Sequence, residues 1–169
     1  MAKPITALAL IFAATMAMTS PASAQEPARL DVGVAAGPAP YDLSGTGTGF
    51  AAAIRGPWQP RSWLVIEPSV GLFSYNSQFA ARTIYLFPEL SVQGQVRLGR
   101  LRPFLGGGAG GAFVVGGEGE TVATLHAVGG SRLDLGPEWA ISGELRIRAV
   151  RPWTGNTVEF LFGVSRRVR

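Results

Sequence analysis

The chain has 169 residues, with no cysteine, one histidine and 11 acidic residues. The absence of cysteine excludes disulfides and thiolate metal sites, and the few remaining ligand types offer little material for a metal centre. Lys3 is the only lysine, and the formal net charge is +4 at pH 7. The arginines are spread along the chain without an aromatic stacking motif, so we expect no nucleic-acid partner. We also expect no cofactor and no catalytic or metal site.

The first 24 residues have the three parts of a secretory signal peptide. Lys3 gives a positive start, and residues 5–18 form an apolar run too short to span a bilayer, which needs about 20 residues. Ala22-Ser23-Ala24 matches the small-x-small cleavage pattern. The sequence therefore predicts a cleaved signal peptide over residues 1–24 and a mature domain over residues 25–169. An uncleaved anchor is the alternative.

From Leu30 onward the hydrophobic pattern has a period of two, which is typical of β-strands with one apolar and one polar face. Glycine and proline interrupt the pattern at Gly56–Ser62, Gly99–Arg102 and Gly136–Pro137, which we interpret as turns. The alternation predicts eight strands, at about 29–36, 46–55, 63–74, 82–98, 103–115, 121–135, 138–150 and 157–168. An even number of strands long enough to span a membrane, with no helix, predicts an all-β fold, an eight-stranded antiparallel up-and-down transmembrane β-barrel.

Alternation alone does not distinguish this barrel from a soluble lipocalin-like barrel, which turns its apolar face inward. The polar face here mixes arginine with acidic residues, and arginine suits buried bidentate ion pairs, whereas soluble surfaces favour lysine and glutamate. The composition therefore favours a polar interior and a lipid-facing wall. The alternative is a soluble periplasmic barrel that binds a small apolar ligand in a cavity lined by Phe50, Leu86, Leu90 and Phe160.

An eight-stranded barrel is only wide enough for side chains to fill it. Because unpaired buried charges are costly, we predict that an ion-pair network plugs the lumen. A gated, narrow ion path is the alternative interpretation. The predicted members of the network are Glu67, Glu89, Arg97, Glu144, Arg146, Arg148 and Glu159.

Several segments resemble the small outer-membrane β-barrel family, OmpA/OmpX-like and opacity-type porin-fold proteins. They are Phe87–Leu90 running into Leu98–Gly108, and Leu133–Leu135 followed by Glu144–Arg148 and a final amphipathic strand. The resemblance extends over residues 29–168 and implies a location in the cell outer membrane. Two aromatic belts are expected of such barrels. The candidates are Trp58, Trp63 and Trp139 at the inner end, and Tyr41, Tyr75, Phe79 and Trp153 at the outer end.

His126 is a candidate catalytic residue, because some eight-stranded barrels are lipid A-modifying enzymes that use a histidine, a serine and an acid. In the deacylase type the serine stands two residues after the histidine. That position is Val128 here, and Ser131 lies on the opposite face of the strand. The geometry that a serine hydrolase requires is therefore missing near His126, and we interpret His126 as a hydrogen-bonded polar residue of the lumen.

Two further features involve proline and glycine. Pro68 and Pro88 fall on the lipid face of neighbouring strands and remove ladder hydrogen bonds. They suggest a weak seam between the third and fourth predicted strands, with a local bulge as the alternative.

The glycines of Gly106–Gly111 lack the following helix and the Lys-Ser/Thr of a phosphate-binding loop. In a narrow barrel they leave room for large side chains from opposite walls.

The resulting prediction is an outer-membrane β-barrel with a side-chain-filled lumen and a structural or envelope-permeability role, without catalysis. We expect a monomer in contact with outer-membrane lipid, inserted by the barrel insertion machinery. The alternatives are the soluble carrier described above and a lipid-modifying membrane enzyme. A reactive serine near His126 would favour the enzyme.

Overall fold

The computed structural model describes residues 28–40, 47–77, 80–115, 121–150 and 156–168, with the backbone alone described at 47–48, 75–77 and 80–83. The predicted signal peptide, residues 1–24, lies outside the described residues. Within the described part of the chain, no helix is long and apolar enough to cross a membrane.

Eight long strands and one short strand form a single antiparallel sheet. The pairing of the last strand with the first closes this sheet into a barrel. The predicted all-β class and eight-stranded antiparallel barrel are confirmed. The strands are β1 (Arg29–Pro38), β2 (Gly47–Arg55), β3 (Trp58–Arg61), β4 (Leu64–Ser77), β5 (Ala80–Gln95), β6 (Leu101–Val114), β7 (Val122–Asp134), β8 (Trp139–Val150) and β9 (Asn156–Arg167).

The short strand β3 lies in the segment Gly56–Ser62, which was predicted to be a turn. β1 pairs with β2 over its second half and with β3 at its first two residues, so β3 continues the line of β2. The carbonyl of Pro57 accepts a hydrogen bond from the Asp31 N–H at 3.0 Å. Gly56 and Pro57 therefore break the strand without ending its pairing, and the chain turns only at Ser62 and Trp63.

Side chains alternate between the lumen and the outer wall. On β5, Glu89, Ser91 and Gln93 are buried in the lumen, whereas Leu90 and Val92 are exposed on the wall. Large apolar side chains are exposed on the other long strands as well. They include Leu30, Val32, Val34, Phe50, Ile54, Val70, Leu72, Leu105, Leu125, Ile141, Leu145, Ile147, Phe160 and Phe162.

This distribution is the opposite of the one that a soluble carrier requires. A lipocalin-like barrel lines its cavity with apolar side chains and presents polar ones to water. Here Phe50, Leu90 and Phe160, which were expected to line such a cavity, are exposed on the outer wall. An apolar wall around a polar lumen is the pattern of a barrel in lipid, so the soluble alternative is wrong.

The first residues of β1 and the last residues of β9 meet at one rim, where Asp31 pairs with Arg167. This rim also carries the short connections, and we call it the turn end; the opposite rim is the loop end. Trp58, Trp63 and Trp139 are exposed at the turn end, at the predicted inner aromatic belt. The predicted outer belt, Tyr41, Tyr75, Phe79 and Trp153, lies outside the described side chains.

The tightest connection at the turn end joins β5 to β6. The backbones of Leu98 and Leu101 exchange hydrogen bonds of 2.8 and 3.1 Å. Gly99 between them has a φ of 64°, a left-handed conformation that glycine adopts without steric cost.

Pro68 and Pro88 leave the pairing of β4 with β5 intact, because its register continues without a shift from Leu64 to Tyr75. The suggested seam between these two strands is therefore wrong. The pairing of β5 with β6 is interrupted at Phe87 and Pro88 instead. Proline has no N–H to donate, and its missing hydrogen bond falls on the β6 side.

The lumen contains two layers. An apolar cluster lies towards the loop end and consists of Ala35, Ala39, Ala51, Phe73, Phe87, Ala112 and Leu161. Buried charged and polar side chains fill the lumen between this cluster and the turn end. The candidate site lies among them.

Candidate functional site

Glu89 on β5 lies at the centre of a buried ion-pair network. Its carboxylate accepts hydrogen bonds from Arg146 Nη1 at 3.0 Å and from Arg148 Nε and Nη2, both at 2.9 Å. Arg148 also pairs with Glu159, which accepts a further hydrogen bond of 3.1 Å from Thr157. Two arginines of β8 therefore bind the carboxylates of β5 and β9.

A second part of the network joins β2 to β8. Arg55 donates two hydrogen bonds to Glu144, at 2.5 and 2.8 Å, and both side chains are buried. Arg146 Nη2 lies 3.3 Å from Glu144 and 3.8 Å from Glu67. Glu67 in turn accepts a hydrogen bond of 3.1 Å from Arg132. Arg146 therefore connects the two parts, and bidentate pairs such as Arg55–Glu144 fix geometry as well as charge.

Six of the seven residues predicted for the network are buried in the lumen: Glu67, Glu89, Glu144, Arg146, Arg148 and Glu159. The prediction for Arg97 was wrong. β5 ends at Gln95, so Arg97 lies in the connection to β6, where its side chain is exposed at the turn end. The alternation of polar and apolar residues continues past Gln95, where β5 ends.

Two arginines of the network were not predicted as members. Arg55 follows Ala51 and Ala53 on the inward face of β2, so one more step of the alternation leads to it. Arg132 also lies on an inward face, but its partner Glu67 is 65 residues away. Alternation identifies such a face, whereas the pairing across the lumen requires the register of the closed barrel.

Two aromatic rings lie against the network. The Arg132 guanidinium lies 4.0 Å from the ring centroid of Phe104, and that of Arg148 lies 4.2 Å from that of Phe87. Such cation–π contacts strengthen when they are removed from water. Phe87 also belongs to the apolar cluster, so Arg148 joins the charged layer to the apolar layer.

His126 has a serine and an acid beside it. Ser91 Oγ lies 2.8 Å from His126 Nε2, and both side chains are buried. On the other side of the ring, Nδ1 lies 3.3 Å from Glu89 Oε1, a contact that does not meet hydrogen-bond geometry. The statement that a serine geometry is missing near His126 was therefore wrong, because the serine comes from β5 and not from β7.

Gly108 on β6 makes this contact possible. In the sheet it stands directly between Ser91 and His126, paired with each of them. A Cβ at Gly108 would lie 2.7 Å from His126 Cε1. The inward glycines Gly106 and Gly110 admit Gln93 and Glu89 in the same way. The space left by this strand is therefore occupied by side chains of the adjacent strands, and Arg146 and Arg148 reach Glu89 from β8.

No protein-family model matches the sequence, and no curated protein matches it. The structure is similar to that of Neisserial surface protein A (NspA), with a TM-score of 0.60 and 16% identity over 85% of this chain and 99% of that one. It is also similar to the outer membrane enzyme PagL, with a TM-score of 0.56 and 13% identity over 80% and 97%. The N-terminal β-barrel domain of Pseudomonas aeruginosa OprF is also similar, with a TM-score of 0.55 and 9% identity over 85% of this chain and 99% of that one.

The chain has the fold of the small outer-membrane β-barrels. In this barrel, Ser91, His126 and Glu89 lie in the spatial order of the serine, histidine and acid of a serine hydrolase triad. The side chains of His126 and Glu89 are 0% and 1% exposed, and Ser91 is 0% exposed. The Glu89 carboxylate also accepts hydrogen bonds from Arg146 and Arg148, so its negative charge does not act on His126 alone. The arrangement has the parts of a triad inside a packed lumen.

The described residues contain no group of three or more histidine, cysteine, aspartate or glutamate side chains that could hold a metal ion.

Proposed function

We propose that the protein is a sealed outer-membrane β-barrel of the bacterial envelope, with a structural role in maintaining the permeability barrier and no catalytic activity. The observation that carries this proposal is the ion-pair network across the lumen. The apolar outer wall and the fold shared with NspA and OprF support it.

The network lies across the path that an ion would take through the lumen. Arg146, Glu67 and Glu89 side chains are each 1% exposed, and an eight-stranded barrel has no spare width. A passing ion would have to displace these pairs and leave charges unpaired, which is strongly unfavourable. The apolar cluster towards the loop end adds a layer in which the ion would lose its hydration without a polar partner.

Conductance in planar lipid bilayers tests the seal. We expect no conductance above that of the bare bilayer for the wild type, and measurable conductance for Glu144→Ala/Arg146→Ala, which removes cross-lumen pairs. Glu138→Ala/Arg166→Ala, an exposed pair at the turn end, is the matched control and should remain silent. A conducting wild type would overturn the proposal, and two silent variants would show that the network is not the seal.

The proposal includes the outer membrane as the location, with lipid and the barrel insertion machinery as partners, in a monomer whose turn end faces the periplasm. Short turns on the periplasmic side are the rule for such barrels. Envelope fractionation should recover the protein with the outer membrane, shifting in gel mobility on boiling. N-terminal sequencing should begin at Gln25, after removal of the predicted signal peptide. Recovery with soluble periplasmic protein would contradict the location.

The second candidate function is hydrolysis of a carboxylic ester, and the Ser91–His126–Glu89 geometry favours it. Ser91 Oγ would attack the carbonyl carbon as its proton passes to His126 Nε2. The alcohol would leave with that proton, and water would then release the acyl group from Ser91. PagL is an outer membrane enzyme, so the fold is compatible with catalysis. The burial of all three side chains is the argument against this function.

Labelling of the folded protein with a fluorophosphonate, which reacts with activated serines, distinguishes the two functions. A single adduct that Ser91→Ala abolishes and Ser69→Ala retains would establish the hydrolase and overturn the non-catalytic role. Ser69 is the matched control, because it is also a buried serine on an inward face. Absence of an adduct in the folded state supports the sealed barrel.

A further inference from the structure

A small recess opens at the turn end of the lumen, where Arg102 in its lining is the cross-strand neighbour of Arg132 of the network. It has a volume of about 20 Å³, and its lining is formed by Arg29, Gln59, Arg61, Ser62, Arg97, Arg102 and Asp134. Four of these seven residues are arginines and one is acidic. Such a concentration of one charge at a cavity is unfavourable unless anions compensate it.

The carboxylates near the recess are already engaged. Asp134 Oδ1 accepts a hydrogen bond of 2.5 Å from Arg102 and lies 3.9 Å from Arg29. Asp31 pairs with Arg29 at 2.6 Å. Two arginines therefore share one oxygen of Asp134, and this sharing leaves positive charge at the recess.

Arg102 is the innermost of these arginines. It is 3% exposed, and its Nη2 and Nη1 donate to Asp134 and to Gln59, at 2.5 and 3.3 Å. Its Nε is buried without a hydrogen-bond partner. A buried donor left without an acceptor is unfavourable. The Arg102 guanidinium therefore borders the recess with one N–H unpaired, in a place where positive charge is in excess.

We propose that this recess binds one oxyanion of the phosphate type. A volume of about 20 Å³ accommodates a group about the size of one water, which is one phosphate oxygen and not the whole anion. That oxygen would accept from Arg102, and the remaining oxygens would lie at the mouth, within reach of the exposed Arg61. Arginine binds phosphate through planar, charge-assisted hydrogen bonds.

The same chemistry is offered by free phosphate in the periplasm and by the headgroup of a phospholipid in the facing leaflet. Three exposed tryptophans, Trp58, Trp63 and Trp139, lie at this rim, and tryptophan is enriched at membrane interfaces, so a headgroup can approach. The two sources differ in whether the anion binds in the absence of lipid.

To test the site, the folded barrel is titrated with inorganic phosphate, and binding is followed by ³¹P NMR. The detergent is not zwitterionic and contains no phosphate. A second arm adds phosphatidylglycerol to the micelles, with a phosphate-free glycolipid as the control. Saturable 1:1 binding of inorganic phosphate identifies the free anion, and binding of phosphatidylglycerol alone identifies the headgroup. Either result supports the site, and absence of binding in both arms overturns it.

Variants separate a defined site from general attraction to a basic rim. Arg102→Gln should weaken binding by at least about tenfold, as expected for loss of a charged hydrogen bond. Arg61→Gln, at an exposed position that should not affect folding, should weaken it by about two- to fivefold. Arg100→Gln is the matched control, because Arg100 is exposed at the same end but does not line the recess. An equal loss for Arg61→Gln and Arg100→Gln would overturn the site.

Discussion

Ser91 Oγ and His126 Nε2 lie 2.8 Å apart, although 35 residues and the whole of β6 separate them. The contact crosses Gly108, whose missing side chain is the space that the imidazole occupies. The glycines of β6 thus leave space for specific side chains of the two neighbouring strands.

Gly108→Ala is expected to destabilise the barrel by about 1–3 kcal/mol, as overpacking does in other well-packed interiors. The new Cβ would lie 2.3 Å from the Leu90 carbonyl oxygen and 2.7 Å from His126 Cε1, so both backbone and ring must move. Urea unfolding of the folded barrel measures the change. Gly143→Ala is the control, because its nearest contact, with the Phe162 ring at 3.8 Å, is ordinary. Equal stabilities of the two variants would refute this account of β6.

Glu144→Gln is expected to lower the free energy of unfolding by about 3–5 kcal/mol, because it leaves the buried Arg55 charge without its bidentate partner. Glu138→Gln removes a carboxylate from Arg166 in a pair whose side chains are 60% and 56% exposed. That change should cost less than about 1 kcal/mol. The two variants alter the same functional group, so similar unfolding midpoints would show that the lumen pairs are not structurally important.

Phe87→Leu should destabilise the barrel by about 2 kcal/mol through loss of aromatic and cation–π contacts. Phe87 lies edge-on to Phe73, with ring centroids 6.4 Å apart, and beneath the Arg148 guanidinium. Phe162→Leu, on the outer wall at 70% exposure, is the comparison and should have a much smaller effect. A larger loss for the outer-wall variant in thermal unfolding would contradict the packing described for the lumen.

Leu90→Arg tests the lipid-facing wall. Arginine on that wall near the midplane should destabilise the folded barrel in lipid vesicles by about 2–4 kcal/mol. Leu98→Arg, in the connection at the turn end, should cost about 0–1 kcal/mol, as near a membrane interface. Both leucines are exposed, at 53% and 60%, so burial within the protein does not distinguish them. Equal effects in vesicles would argue against a membrane at this wall.

Most of the fold can be predicted from the alternation of polar and apolar side chains, because the inward and outward faces differ in polarity along every long strand. The alternation predicts the eight long strands, the position of Glu89 and Arg146 in the lumen, and the leucines on the outer wall. It also explains the failure at Arg97, since a period of two continues through a turn as readily as through a strand. A strand end is decided by backbone geometry, here by the left-handed Gly99.

The contacts between strands depend on register, which the sequence of one strand does not contain. Ser91 and His126 meet because both pair with Gly108, and a search along β7 alone considers Val128 and Ser131 instead. The short strand β3 escapes detection for a related reason: Pro57 ends the local pattern, whereas pairing with β1 continues beyond it.

The cross-lumen ion pairs also bear on how the barrel is assembled. Arg55 and Glu144 are 89 residues apart in sequence, and Arg148 and Glu89 are 59 residues apart. In an open sheet these two cross-lumen pairs are broken, and an unpaired charge in lipid is highly unfavourable. They become satisfied together only when β9 meets β1. Contacts of such long sequence separation form slowly, so we expect insertion to be cooperative and slow, with half-closed intermediates too unstable to accumulate in the membrane.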